Sequence, residues 1–146
     1  MFTSSKHMKK LLVAVFSVAL LSACSDQKKQ EKAVLDDIIK THDQIMGNDE
    51  HLMQNKMKLD TLSSDKSTAY TPGQKAAMKI LILKLTNADE TMEKWMQKFD
   101  PEQKEKSHDE VMAYLNDQKK QVSHVDSVVA AAIHDSDDLL GHLKKQ

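Results

Sequence analysis

Apolar residues fall along this chain in two patterns. Leu11 to Leu21 is an apolar run broken only by Ser17. From Glu31 onward the apolar positions instead alternate in steps of three and four, the spacing of one face of an α-helix. Leu35, Ile38, His42, Ile45, Asp49, Leu52, Lys56 and Leu59 form a heptad seam that predicts a first helix over 31–63. Val34, Ile39, Met46 and Met53 widen its stripe. Gly47-Asn48 is a weak point, costing about 1 kcal/mol for the glycine, but the seam passes through it in register. After a polar loop over 63–70, Thr71-Pro72-Gly73-Gln74 reads as an N-cap, a proline at the first helical position and a glutamine reaching back. It opens a second helix from Pro72 to about Phe99, with seam Ala77, Leu81, Leu85, Ala88, Met92, Trp95 and Phe99. Asp100-Pro101-Glu102-Gln103 carries the same start signal and predicts a third helix from Pro101. Its seam is His108, Val111, Leu115, Gln118, Val122, Val125, Val129 and Ala132. The polar run His134 to Asp138 is expected to interrupt it, with Ser136 capping a short fourth helix.

Three long amphipathic helices with short loops predict an all-α, up-down-up antiparallel three-helix bundle over 31–146. Two Pro, three Gly and 4% aromatic residues agree with helices rather than a sheet. The third helix is longer than its partners, so the tail from about Ala130 lacks a neighbour. Leu139, Leu140 and Leu143 are then a small lid or a self-association surface; the lid is favoured because their seam is weak.

The apolar run near the start is too short to span a bilayer as a mature helix but suits a secretory signal. Lys6, Lys9 and Lys10 precede it, and Leu21-Ser22-Ala23-Cys24 follows it. This sequence resembles the bacterial lipobox. The resemblance implies that residues 1–23 are a signal peptide, that Cys24 receives a covalent lipid, and that 24–30 is a polar tether. Met8, followed by two lysines, resembles a commoner start than Met1. Cys24 is the only cysteine, so the chain holds no disulfide framework. Several acyl chains on one residue anchor firmly, since each buried CH₂ contributes about 0.8 kcal/mol. In such lipoproteins Ser25, rather than Asp, after the cysteine favours the outer membrane, on its periplasmic face or at the cell surface.

Beyond Cys24 the chain has 18 lysines against 22 acids, a net charge of −4 with His neutral, and no arginine. Bidentate phosphate or carboxylate clamps are thus lacking, and no basic, aromatic-rich face points to nucleic acid. There is no Gly-rich phosphate loop and no nucleophile beside an orienting base, so the chain reads as a non-enzyme. Glu105-Lys106-Ser107-His108 matches one Glu-x-x-His pair, but a di-iron bundle needs two.

One constellation carries chemistry. His42-Asp43-Gln44-Ile45-Met46 and His108-Asp109-Glu110-Val111-Met112 match each other. With a helical rise of about 1.5 Å per residue, His42 and His108 both fall about 31 Å above Ser63 and Met92 about 30 Å above it. His42, Met46, Met92, Met96, His108 and Met112 are therefore expected in one layer with Trp95. Imidazole and thioether donors suit Cu(I) or Ag(I), and a tryptophan can shield the ion. The alternative is packing: Met fills cores, and a seam His fixes register through a neighbouring carboxylate such as Asp89 or Glu93.

The lipobox, His-Asp-Glu-Val-Met (108–112) and Met-Glu-Lys-Trp-Met (92–96) together resemble a group of small uncharacterised helical lipoproteins, some labelled "viral A-type inclusion protein". The resemblance covers most of the chain after Cys24 and implies no activity. The expected function is a lipid-anchored helical bundle of the cell envelope with a binding or structural role. The alternatives are a periplasmic Cu(I)/Ag(I) binder using the His/Met layer and an adaptor for another envelope protein.

Overall fold

The computed structural model describes the backbone of residues 5–66 and 69–144, and within these the side chains from Ser25 onward. The side chains of the expected signal segment, Cys24 included, lie outside the described residues. Four helices follow one another: α1 (Ser5–Gly47), α2 (Asp49–Ser64), α3 (Pro72–Lys98) and α4 (His108–Leu143). Among the described residues there is no strand, and no helix is long and apolar enough to cross a membrane.

α1 and α2 form one rod interrupted only at Asn48. Glu31, Ile38, Ile45, Leu52 and Leu59 are buried at every seventh position, so the heptad runs through the interruption. Asn48 has φ −96° and ψ −6°, its side chain makes no cap, and its N–H turns back to the Ile45 carbonyl at 2.9 Å. Asp49 and Glu50, at the N-terminal end of α2, suit the positive end of the helix dipole. Asp49 itself is exposed rather than part of the seam. Residues 25–30, expected as a tether, are helical and exposed. Lys29–Asp26 at 3.2 Å and Lys28–Glu31 at 2.8 Å bridge successive turns there.

α3 starts as its sequence predicts. Thr71 Oγ1 accepts from the Gln74 N–H at 3.2 Å, and Gln74 Oε1 accepts from the Thr71 N–H at 2.8 Å. α3 buries Met78, Leu85, Ala88, Met92 and Trp95. Met78 was outside the predicted seam, and Ala77 and Leu81 are only half-buried.

The third predicted helix begins later than expected. Asp100 to Ser107 is a loop, and α4 starts at His108. Asp100 Oδ1 accepts from the Glu102 N–H at 3.0 Å, which closes a local turn instead of opening a helix. Gln103 (φ 40°) and Glu105 (φ 63°) then take left-handed backbone conformations, which end any helical run. A competing capping box wins: Glu110 Oε2 accepts from the Ser107 N–H at 2.9 Å, while Ser107 Oγ accepts from the Glu110 N–H at 3.4 Å.

α4 also continues where an interruption and a fourth helix were expected. Ser136 does not cap. Its hydroxyl donates to the Ile133 carbonyl at 2.8 Å and accepts from Asn55 Nδ2 at 2.9 Å. The late start places the tail of α4 beside α2, so the tail has a neighbour without folding back as a lid. Leu140 is buried, and Leu139 and Leu143 pack against the core.

α1 packs on α4, α2 on α3 and α4, and α3 on α4. Glu31 pairs with His108, Asp37 with Lys119 and Asn55 with Ser136. Trp95 bonds to Gln118 and Lys84 to Asp135. Every predicted seam position of α4 from Val111 to Ala132 is buried.

Candidate functional site

The six expected ligands do not form one layer. His108 stands at the first position of α4, and its Nδ1 lies 2.9 Å from Glu31 Oε1. Glu31 precedes His42 by eleven residues on α1, a rise of about 16 Å. The two imidazoles are therefore separated along the rod by about three turns. The cause is the late start of α4: a helix from Pro101 would bring His108 about 10 Å nearer the level of His42.

His42 and His108 each have a structural partner. His42 Nδ1 contacts Asp43 Oδ1 at 3.0 Å, and its ring lies 6.1 Å from that of Trp95, tilted by 39°. Trp95 stacks on Phe99 at 4.9 Å, and Phe99 faces Tyr114 at 6.5 Å. The indole N–H of Trp95 donates to Gln118 Oε1 at 3.0 Å. Trp95 is thus built into a ring ladder across α1, α3 and α4. Glu31 joins His108 to Lys28, and those two hydrogen bonds, Lys28 first, hold its pKa below the ordinary 4.5 despite partial desolvation. Met112, one turn beyond His108, is half-buried.

The remaining three methionines share a cleft. Met46 from α1 and Met92 and Met96 from α3 line a cleft of about 190 Å³. Asp49, Asp89 and Glu93 complete its polar side, and Ile45, Leu52 and Val129 form its apolar lining. Met92 is buried at 5% exposure, whereas Met46 and Met96 are open at 42% and 39%. Three neutral thioethers beside three carboxylates combine soft donors with negative potential, the combination that suits a soft monovalent cation. Met92 and Met96 share a helix face at i and i+4, and Met46 of α1 lines the same cleft. Among the described residues, no three His, Asp or Glu side chains converge as a metal-binding group, so a site here depends on sulfur.

A second polar cluster was missed in the sequence. Asn55, only 1% exposed, donates through Nδ2 to Ser136 Oγ and to Asp137 Oδ1 at 2.7 Å. His51 Nε2 lies 2.9 Å from the same Asp137 oxygen, so this histidine joins two helices rather than merely facing water. The signal was present: Asn55 follows Leu52 by three and precedes Leu59 by four. Among the described residues no buried side-chain polar atom lacks a hydrogen-bond partner. Comparison with protein-family models, with curated proteins and with solved structures finds no match to this chain.

Proposed function

We propose that the chain is a non-enzymatic, lipid-anchored helical bundle of the cell envelope, favouring the outer membrane, with a binding or structural role. The observation that carries this reading is the lipobox resemblance of Leu21-Ser22-Ala23-Cys24, and the continuity of α1 bears on what such an anchor would hold. One helix contains position 24 and runs on to Gly47, with the Glu31–Leu59 heptad continuing into α2. A lipid on Cys24 would hold a stiff rod, reaching about 60 Å to Ser64, rather than a loosely tethered domain. The topology we propose is up-down-up. The pairs Glu31–His108, Asp37–Lys119 and Asn55–Ser136 advance together along α4 and the α1–α2 rod. Trp95–Gln118 and Lys84–Asp135 run in opposite order. Metabolic labelling with an alkyne fatty acid tests the anchor. Label should enter the wild-type chain in the membrane fraction and be lost in Cys24→Ala. Equal label in the two, or none in the wild type, would sink the reading.

The sulfur-lined cleft supports a second reading, a Cu(I) or Ag(I) binder using Met46, Met92 and Met96. Silver titration of the full chain, with methionine methyl groups labelled for NMR, tests it. These three resonances should shift together while Met57 and Met78 stay still. Uniform or absent shifts would remove the reading.

A further inference from the structure

A larger apolar recess lies at the other end of the rod from position 24. Met57 and Leu62 of α2, Tyr70 of the following loop, and Leu140 and Leu143 of α4 line a groove of about 480 Å³. Met57 is 63% exposed, so the groove opens to solvent. Lys58 and Lys144 also line the groove, and among the described residues no aspartate or glutamate does. We propose that this groove binds a free long-chain fatty acid, with its alkyl chain on the leucine and methionine wall and its carboxylate at the two lysines.

Three observations select that occupant. The volume falls within the range of about 300–1,000 Å³ typical of small-molecule sites. The wall is apolar while the charges that the described residues bring to it are cationic, which complements a single-chain anion rather than a neutral hydrocarbon. Lysine suits this task, because its stem packs on apolar surface while its head stays wet. The third observation is position, and it rests on the anchoring proposed above. Leu62 lies thirty-eight residues beyond Cys24, a helical rise of about 57 Å. On a rod that stands off the bilayer at Cys24, neither the membrane nor an acyl chain attached there reaches the groove, so the occupant arrives unattached.

The proposal is tested on the full chain in its native membranes with a photoactivatable palmitate carrying a diazirine. After irradiation, mass spectrometry should place the label on peptides spanning 57–62 and 139–144. Unlabelled palmitate should displace it. Each additional methylene buried in a competitor series should raise potency up to about fourfold until the groove is filled. The double variant Lys58→Glu/Lys144→Glu should label at least about tenfold less, since two attractions become two repulsions, whereas Lys79→Glu on α3 should label normally. Both lysines are at the surface, so the fold survives the change, and circular dichroism checks this. Cys24→Ala removes the anchor but not the groove, so groove labelling persists there, and failure of one reading is distinguishable from failure of the other. Label spread along the chain, equal label from the matching fatty alcohol, or undiminished label in the double glutamate variant would each overturn the proposal.

Discussion

Replacing Asn55 separates a polar residue that sets register from one that merely fills space. Asn55 sits in the seam between Leu52 and Leu59, and its Nδ2 serves Ser136 Oγ at 2.9 Å and Asp137 Oδ1 at 2.7 Å. Asn55→Ala removes both hydrogen bonds and leaves a small void. A bond between neutral groups contributes about 1 kcal/mol, and one to a charged group about 1.5–3. Asp137 is 45% exposed, however, and water replaces much of what it loses. With the void included, the expected cost is about 2–3 kcal/mol. Asn55→Leu behaves differently. Ser136 keeps its bond to the Ile133 carbonyl, Asp137 keeps His51 and solvent, and no buried group is orphaned. The expected change is within about 1 kcal/mol of wild type, because apolar burial offsets the lost bonds. Urea unfolding followed by Trp95 fluorescence, the single tryptophan, reads both variants. A double-mutant cycle with Ser136→Ala should return a coupling of about 0.5–1 kcal/mol. Partial burial pushes the pKa of Asp137 up, but the hydrogen bonds from Asn55 and His51 hold it below its ordinary value. In Asn55→Ala that pKa should rise. Equal costs for alanine and leucine, together with a fixed Asp137 titration, would refute the reasoning.

Two further outcomes follow from local geometry. Gly47 does not have a positive φ, and a Cβ built on it meets nothing within 4 Å. Gly47→Ala should therefore raise stability by about 0.5–1 kcal/mol in the same urea assay. Glu31 has a folded pKa below its ordinary 4.5, through Lys28 and then His108. Its contribution is complete above pH 4.5 and fades as pH falls through the lowered folded value, so Glu31→Gln should flatten the acid limb of the stability profile. An unchanged limb in thermal melts between about pH 6 and about pH 3 would contradict that.

Much of the fold is legible in the periodicity, since a three-four spacing reports burial directly. The α4 seam from Val111 to Ala132 and the α3 capping box are both found in the structure. Helix starts are harder where two signals compete. Asp100-Pro101 and Ser107 with Glu110 are both credible starts seven residues apart, and the choice depends on tertiary contacts. The Asp100 N–H meets Tyr114 Oη at 2.8 Å, and Gln103 Nε2 holds the Asp100 carbonyl at 3.0 Å. Those contacts stabilise the loop and shift the whole of α4 by about two turns. The late start accounts for about 10 Å of the roughly 16 Å that separates His42 from His108, because a height sum inherits every error in its loops. Met46, Met92 and Met96 line one cleft because Ile45, Ala88, Met92 and Trp95 are buried where the seams of α1 and α3 place them. Asp137 lies in a run that the sequence presents as helix-breaking, because its partner Asn55 is eighty-two residues away.

The cleft can be tested as a site apart from its role in packing, because its three methionines differ in burial. Met92 is a core residue at 5% exposure, so Met92→Ala should cost about 2–5 kcal/mol whether or not a cation binds. Met46 and Met96, at 42% and 39% exposed, have little transfer energy to lose, so alanine at either should cost no more than about 0.5 kcal/mol. Silver affinity should follow the opposite logic. A soft cation uses each thioether as a donor regardless of its burial, so all three variants should bind more weakly. Urea melts and silver titrations on the same samples separate the two roles. Binding that falls only in Met92→Ala would mean that the core positions one sulfur and the open methionines are bystanders. Losses of stability in Met46→Ala and Met96→Ala as large as that in Met92→Ala would show all three as core. Stability kept with silver affinity lost at Met46 and Met96 is the pattern that a ligand site produces and packing does not.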